Sequence, residues 1–291
     1  MAKAQIAHNE TGTRKRGLGL FFTLTFALSW GIAALFVFTP DLVGEAGLSN
    51  PLFVVAVWSP AIAGIVVARH HLGPRGLLGF FRRLSMIRMP ISNWLFLVVG
   101  IPVIVYAGAV LSGSSDTTPM FSPWYSAVPA LLAALFLAGT VEEIGWRGVA
   151  LPILQRRFTP LTSGLLVGLA WALWHLPAFA LSGTVQSGWA IGPYFAGLLA
   201  VSVIMTWFFN ASNGSILVAW LVHFQAMNPL FADGQPWDSL FYVLAAVVVV
   251  IVNRKSMLRR GGDAIVGLEA PSTDDRDSDE NAESASTLVP A

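Results

Sequence analysis

The sequence predicts an all-α fold, a polytopic transmembrane bundle of about eight spans with both termini cytoplasmic. Three observations point there. Of 291 residues, 55% are hydrophobic and only 11% charged, with a mean hydropathy of +0.67; a soluble domain carries about 25% charged residues. Several apolar runs approach the ~20 residues that a spanning helix needs. Lysine and arginine gather in alternate connections only, as the positive-inside rule requires. The short alternating segments of a membrane barrel are missing. The chain has no cysteine, which excludes disulfides, a thiol nucleophile and cysteine-ligated zinc. It carries no nucleic-acid-binding motif.

Residues 1–16 form a polar N-terminal segment ending in Arg14-Lys15-Arg16. The apolar run 17–39 is long for a signal-peptide core and closes on no small-x-small cleavage site, so it reads as an uncleaved first span. The other expected spans are 51–69, 91–111, 127–155, 161–181, 191–209, 213–231 and 238–253. With a cytoplasmic N-terminus, the inner segments hold Lys3, Arg14 to Arg16, Arg69, Arg75, Arg82, Arg83, Arg88, Arg156, Arg157, Arg254, Lys255, Arg259, Arg260 and Arg276. The outer loops hold Asp41, Glu45, Asp116, Asp233 and Asp238 with no lysine or arginine. This places the protein in the cell membrane as a multi-pass chain with both ends inside. The basic stretch 69–90 mixes in Leu77, Leu78, Phe80 and Phe81. It reads equally as an interfacial helix on the inner leaflet or as an ordinary cytoplasmic loop. The tail 261–291 turns acidic and serine-rich, and its few apolar residues predict disorder. The membrane domain is thus 17–260.

Span 127–155 is too long for one crossing. If Arg156 and Arg157 mark its inner end, Glu142 and Glu143 lie near mid-membrane, with Arg147 about one turn further in. Charged groups there cost roughly 2.5–3.5 kcal/mol each on insertion scales, so two adjacent carboxylates point to chemistry or an ion path. On a helix Glu143 and Arg147 share a face, whereas Glu142 is rotated away beside Trp146. One carboxylate is then held by the arginine, and the other is free to face a cavity as a general base. A buried ion pair serving packing alone would leave Glu142 idle. Span 161–181 brings Trp171 and His175 onto one face, with Pro177 expected to kink the helix. Span 213–231 brings His223, then Asn228 and Pro229. Glu142, Glu143, Arg147, His175 and His223 are the only ionisable residues interior to any span, and three helices can hold them at one depth.

Glu142-Glu143-x-x-x-Arg147, then an aromatic-x-x-x-histidine, then a histidine followed by an asparagine resemble the motifs of the CPBP family. This is the CAAX-protease and bacteriocin-processing group of intramembrane proteases, also called Abi. The resemblance covers about 130–230. The second motif is usually Phe-x-x-x-His; here Trp171 replaces the phenylalanine and His175 is kept. The third is His-x-x-x-Asn or Asp; His223 fits, but the fourth following residue is Met227 and Asn228 comes one later. A π-type turn driven by Pro229 would bring the Asn228 amide back toward His223; Gln225 is a weaker substitute.

The resemblance implies an endopeptidase acting on membrane-associated, CAAX-like or prenylated protein or peptide substrates, in a cavity open to the cytoplasm or the bilayer. Glu142 and His175 would activate a water, His223 and Asn228 would stabilise the oxyanion, and Glu143 with Arg147 would order the site. The family is labelled metalloprotease by some and metal-free by others. Zinc is an option here, because His175, His223 and Glu142 could supply three ligands and leave a water position. No His-Glu-x-x-His motif is present, and the metal-free mechanism is preferred. An ion-coupled transporter, or a non-catalytic immunity or scaffold protein, are the alternatives. The missing internal repeat argues against the first and the intact acid and histidine set against the second.

Overall fold

The computed structural model describes residues 2–114 and 123–261, with side chains from Gly17 onward. Every regular element among them is helical. The acidic tail expected to be disordered lies outside the described residues.

Helix α1 (Ala2–Phe38) is followed by α2 (Pro51–Val57) and α3 (Ser59–Arg82). The Asn50 side chain caps α2 by accepting from the Leu52 N–H at 3.0 Å. Helices α2 and α3 meet at a 55° bend. A second break falls at Gly73, where φ is +67°, a value that favours glycine, and Pro74 follows. The basic stretch after it is therefore helical as far as Arg82, with Phe80 buried and Leu78 exposed. Then come α4 (Ile91–Ser112) and the interrupted span α5 (Trp124–Gln155). Helix α6 (Pro160–Ala180) starts at Thr159, whose hydroxyl accepts from the Thr162 N–H at 3.2 Å. The bundle closes with α7 (Ile191–Ala211), α8 (Ile216–Ala226) and α9 (Trp237–Val252).

All eight expected apolar segments are helical, but they are not alike in length. Five helices among the described residues are long and apolar enough to cross a bilayer, and the bent pair α2–α3 makes a sixth. Helices α8 and α9, at 11 and 16 residues, fall short of a full ~20-residue span.

Helix α7 is the most enclosed of these spans, packed between α6 and α9. The Ser202 hydroxyl donates to the Gly164 carbonyl at 2.7 Å, a small-residue contact between α6 and α7. Val98, Val103, Leu244, Val248 and Ile251 are more than half exposed, as suits a surface solvated by lipid.

The bundle has two chemically distinct ends. Helix α3 ends at Arg82, α5 runs into Arg156 and Arg157, and α9 runs into Arg254 and Lys255. Helix α8 begins at this same end, where the Ile216 N–H donates to the Arg83 carbonyl at 3.0 Å. The opposite end carries Asp41, Glu45, Asp233 and Asp238.

Candidate active site

The site is built on a break in α5. Its first segment stops at Phe136, and Ala138 adopts an extended conformation before a 3₁₀ turn over Gly139–Glu142. A break inside a membrane strands carbonyl groups that need donors. Here the Thr140 hydroxyl donates to the Ala134 and Leu135 carbonyls, and the Trp220 indole also donates to Leu135, at 2.8 Å. After one α-helical turn the chain opens into a π-helix at Trp146–Ala150. The expected continuous helix over 127–155 is thus two limbs around an irregular centre, and that centre is the Glu-Glu-x-x-x-Arg motif.

The two carboxylates live in different company. Glu143 is fully buried and pairs with Arg147, whose Nη1 lies 3.1 and 3.0 Å from its two oxygens. It also accepts from His223 Nδ1 at 2.8 Å. Glu142, 2% exposed, has no arginine contact and accepts two indole N–H groups on Oε2: Trp171 at 2.7 Å and Trp146 at 3.3 Å. Its Oε1 is left for the cavity. A methyl group placed on Gly139 would lie 2.6 Å from His223 Nε2 and 3.1 Å from Glu142 Oε1. Glycine at 139 therefore lets these two groups converge on one point.

The hydrogen bonds assign the imidazole tautomers. Glu143 accepts at Nδ1 of His223, and the Trp171 carbonyl accepts at Nδ1 of His175, at 2.9 Å. Each ring therefore carries its proton on Nδ1 when neutral and presents a free Nε2. His175 stands at the end of the α-helical part of α6, which continues as a 3₁₀ turn, Leu176–Ala180. Pro177 ends that helix rather than kinking it.

Trp171 meets four of the five ionisable residues of the site. It donates to Glu142, its ring lies 4.8 Å beneath the Arg147 guanidinium, and its ring packs 4.9 Å from His223 and 5.8 Å from His175. A phenylalanine at 171 could supply the packing but not the donor.

Asn228 does not join the cluster. Helix α8 ends at Ala226 and Met227 leaves helical geometry, so no π turn forms. The Asn228 amide donates to Gln225 at 2.9 Å, and its oxygen accepts from the Leu230 N–H at 3.0 Å. Pro229 stops the helix instead of distorting it, and the asparagine caps the turn that results. Gln225 is turned elsewhere as well, donating to the Leu97 carbonyl at 3.4 Å.

Sequence reasoning missed Arg83, counted only as a cytoplasmic charge. Its side chain donates to the Gly214 carbonyl at 2.8 Å and the Gly148 carbonyl at 3.0 Å, tying α3 to the π-helix of the motif span. Burial pushes its guanidinium down to about 10, which leaves it charged at neutral pH. Its partners lie 65 and 131 residues away, beyond any local signal. Gly145 was missed likewise. It lies against Gly64 of α3 so closely that a methyl on it would meet the Pro60 carbonyl at 2.1 Å.

A cavity of about 480 Å³ opens from Glu142, His175 and His223. Its walls are largely apolar, including Phe36, Phe53, Leu181 and Val201, and no lysine or arginine among the described residues lines it. It reaches the acidic end of the bundle at Leu48 and Val185; an opening to the cytoplasm or the bilayer was expected. Among the described residues, no three histidine or carboxylate groups gather in a way that could hold a metal ion. Glu142, His175 and His223, the optional zinc ligands, do not form such a group in this arrangement.

Residues 123–227 match the family model described as type II CAAX prenyl endopeptidase Rce1-like. That stretch contains the broken span, Trp171 and both histidines, and it stops one residue before Asn228. The chain is also 24% identical over 266 residues to CAAX prenyl protease 2 of Methanococcus maripaludis, covering 84% of this chain and 96% of that protein. The glutamates, arginine and histidines gathered inside the membrane bundle lie within the matched stretch, and these likenesses support a CPBP, CAAX-protease-type intramembrane protease.

Proposed function

We propose that the protein hydrolyses a peptide bond of a membrane-associated protein with a water activated by Glu142 and His175. The observation that carries this reading is the convergence of Glu142 Oε1 and His223 Nε2 beside Gly139, at the inner end of an apolar cavity. Glu142 is fixed through its other oxygen by two indole donors, so Oε1 is positioned to take a proton from water. His175 Nε2 orients that water. The hydroxide adds to the scissile carbonyl, and His223, when doubly protonated, donates through Nε2 to the developing oxyanion. The Glu142 proton then passes to the leaving amine. Glu143 and Arg147 are positioning residues that hold the His223 ring in place. Asn228, with its amide engaged elsewhere, has no part in this scheme.

The relative's name specifies prenylated CAAX substrates, and the apolar cavity is compatible with a lipid-bearing peptide. We keep the metal-free mechanism, which needs only groups that converge here.

The test is purified protein in detergent with a library of membrane-segment peptides. Glu142→Gln should lower turnover by about 10²–10⁴-fold, the range for a lost general base, without altering thermal unfolding. Wild-type turnover in that variant would sink the assignment. Metal analysis of the same active sample should find no stoichiometric zinc. Activity that falls with chelation and returns with zinc would defeat the metal-free reading.

A further inference from the structure

With Asn228 turned to Gln225 and the Leu230 N–H, His223 is left as a lone donor to the oxyanion. Sites that stabilise an oxyanion in a dry cavity usually aim several fixed donors at it. Among the described residues, the other side-chain donors along the cavity are nearly all spent. Trp174 donates to Ser59 at 3.1 Å and Trp189 to Asp233 at 2.7 Å. Ser29 and Thr184 donate to the carbonyls of Thr25 and Ala178, and Gln235 and Ser239 bond each other. The Tyr242 hydroxyl is wholly buried, away from the cavity surface. Tyr194 remains, with Gln186 beside its hydroxyl.

We propose that Tyr194 is a further catalytic residue, whose hydroxyl donates to the oxyanion together with His223. This rests on the protease reading above. Tyr194 lies in the first turn of α7 and is 8% exposed. The rings of His223, Trp171, His175 and Tyr194 form a row, with successive centroids 4.9, 5.8 and 5.5 Å apart. The two donors thus stand at opposite ends of the row, and Glu142 is bonded to the Trp171 between them. The Tyr194 ring is also wedged against Phe179 and Trp189, at 5.4 and 5.5 Å, so it is fixed before substrate arrives. As hydroxide adds to the scissile carbonyl carbon, the C=O π pair moves onto the oxygen. The Tyr194 proton stays on the phenol and is shared with that oxygen by a hydrogen bond. When the pair returns, the C–N bond breaks and the amine takes the proton held by Glu142. Tyr194 is neither acid nor base in this sequence. A tyrosine that served packing alone would need only its ring, and phenylalanine would do as well.

Tyr194→Phe keeps the ring against His175 and removes the hydroxyl. The full-length variant is assayed in detergent with the library peptide that the wild type cuts fastest. Its kcat should fall about 10²–10³-fold, the cost of one oxyanion donor, with KM and thermal unfolding unchanged. The second readout is a phosphonate version of that peptide, in which tetrahedral phosphorus replaces the scissile carbonyl. Its inhibition constant should rise by the same factor as kcat/KM falls, because the contact belongs to the transition state. Tyr194→Met, which also lacks the hydroxyl, should give the same two results and stands in if the first variant does not fold. Wild-type kcat in Tyr194→Phe, or a lower kcat with unchanged phosphonate inhibition, would overturn the proposal. A wild-type protein that cuts no peptide refutes the protease reading and the role of Tyr194 with it. Wild-type cutting with an unaffected Tyr194→Phe refutes the role of Tyr194 alone.

Discussion

Two irregular regions of the bundle carry polar motif residues, and they end up differently. In α5 the helix breaks at Ala138 and resumes through a 3₁₀ turn and a π-helix. In α8 the helix stops at Ala226, and Met227 and Asn228 leave it. The freed carbonyls of the first region are taken by Thr140 and Trp220, so its carboxylates are spared for other partners. In the second, the freed polar groups satisfy one another: Asn228 bonds Gln225 and the Leu230 N–H. A distortion becomes a site when neighbouring helices take its backbone groups and leave side chains to face a cavity. Where the distortion satisfies itself, it is a helix end.

Substitutions can break or sharpen this contrast. The largest combined effect is expected at Glu143. Glu143→Gln leaves Arg147 buried without its carboxylate and replaces the charged acceptor of His223 with a neutral amide oxygen. Loss of turnover should come with a loss of roughly 3–5 kcal/mol of stability, as for other broken buried pairs. Denaturation in detergent of Glu142→Gln and Glu143→Gln side by side measures the difference, and equal stability in the two would remove the division between them.

Gly139→Ala follows. The added methyl would sit 2.6 Å from His223 Nε2, so the imidazole must move. A displacement of about 1 Å can cost on the order of a hundredfold in rate. Unchanged kcat would mean that the convergence beside Gly139 is not where the reaction occurs.

Trp171→Phe keeps an aromatic ring, deletes the indole donor to Glu142 and removes some buried volume. A hydrogen bond to a charged group is worth about 1.5–3 kcal/mol, so kcat should fall about ten- to a hundredfold. KM should hold, and thermal stability should fall only modestly, because a ring still lies beneath Arg147. A fall in stability with normal kcat would make Trp171 a packing residue.

The smallest effect is expected at the other irregular region. Asn228→Ala should leave turnover within about threefold of wild type, far from the roughly 10²–10³-fold cost of losing an oxyanion donor. A loss of that larger size would show that α8 rearranges when substrate binds.

Much of this was legible in the chain itself. Hydropathy and charge located all eight apolar segments, because the bilayer imposes a length and composition that local sequence must meet. Helical spacing paired Glu143 with Arg147, because residues four apart share a face whatever surrounds them. That same spacing misled at α5, and at α8 the expected π turn did. A helix drawn from periodicity has no break, and the break at Ala138 depends on Thr140 and on Trp220 of another helix. It also placed Asn228 by motif, where the local competition between Pro229, Gln225 and the Leu230 N–H decided its partners.

The sequence by itself determined that the chain is a membrane-embedded helical bundle with five ionisable groups inside it, because burying charge in hydrocarbon is costly enough to be visible in composition alone. Only the tertiary structure decided which carboxylate is free. Glu142 is held by the indoles of Trp146 and Trp171, and Glu143 is claimed by Arg147 and by His223, 80 residues away. Contacts between helices set those partners, and no local pattern records them. The same packing decided which end of the bundle is open, since a cavity exists only between elements.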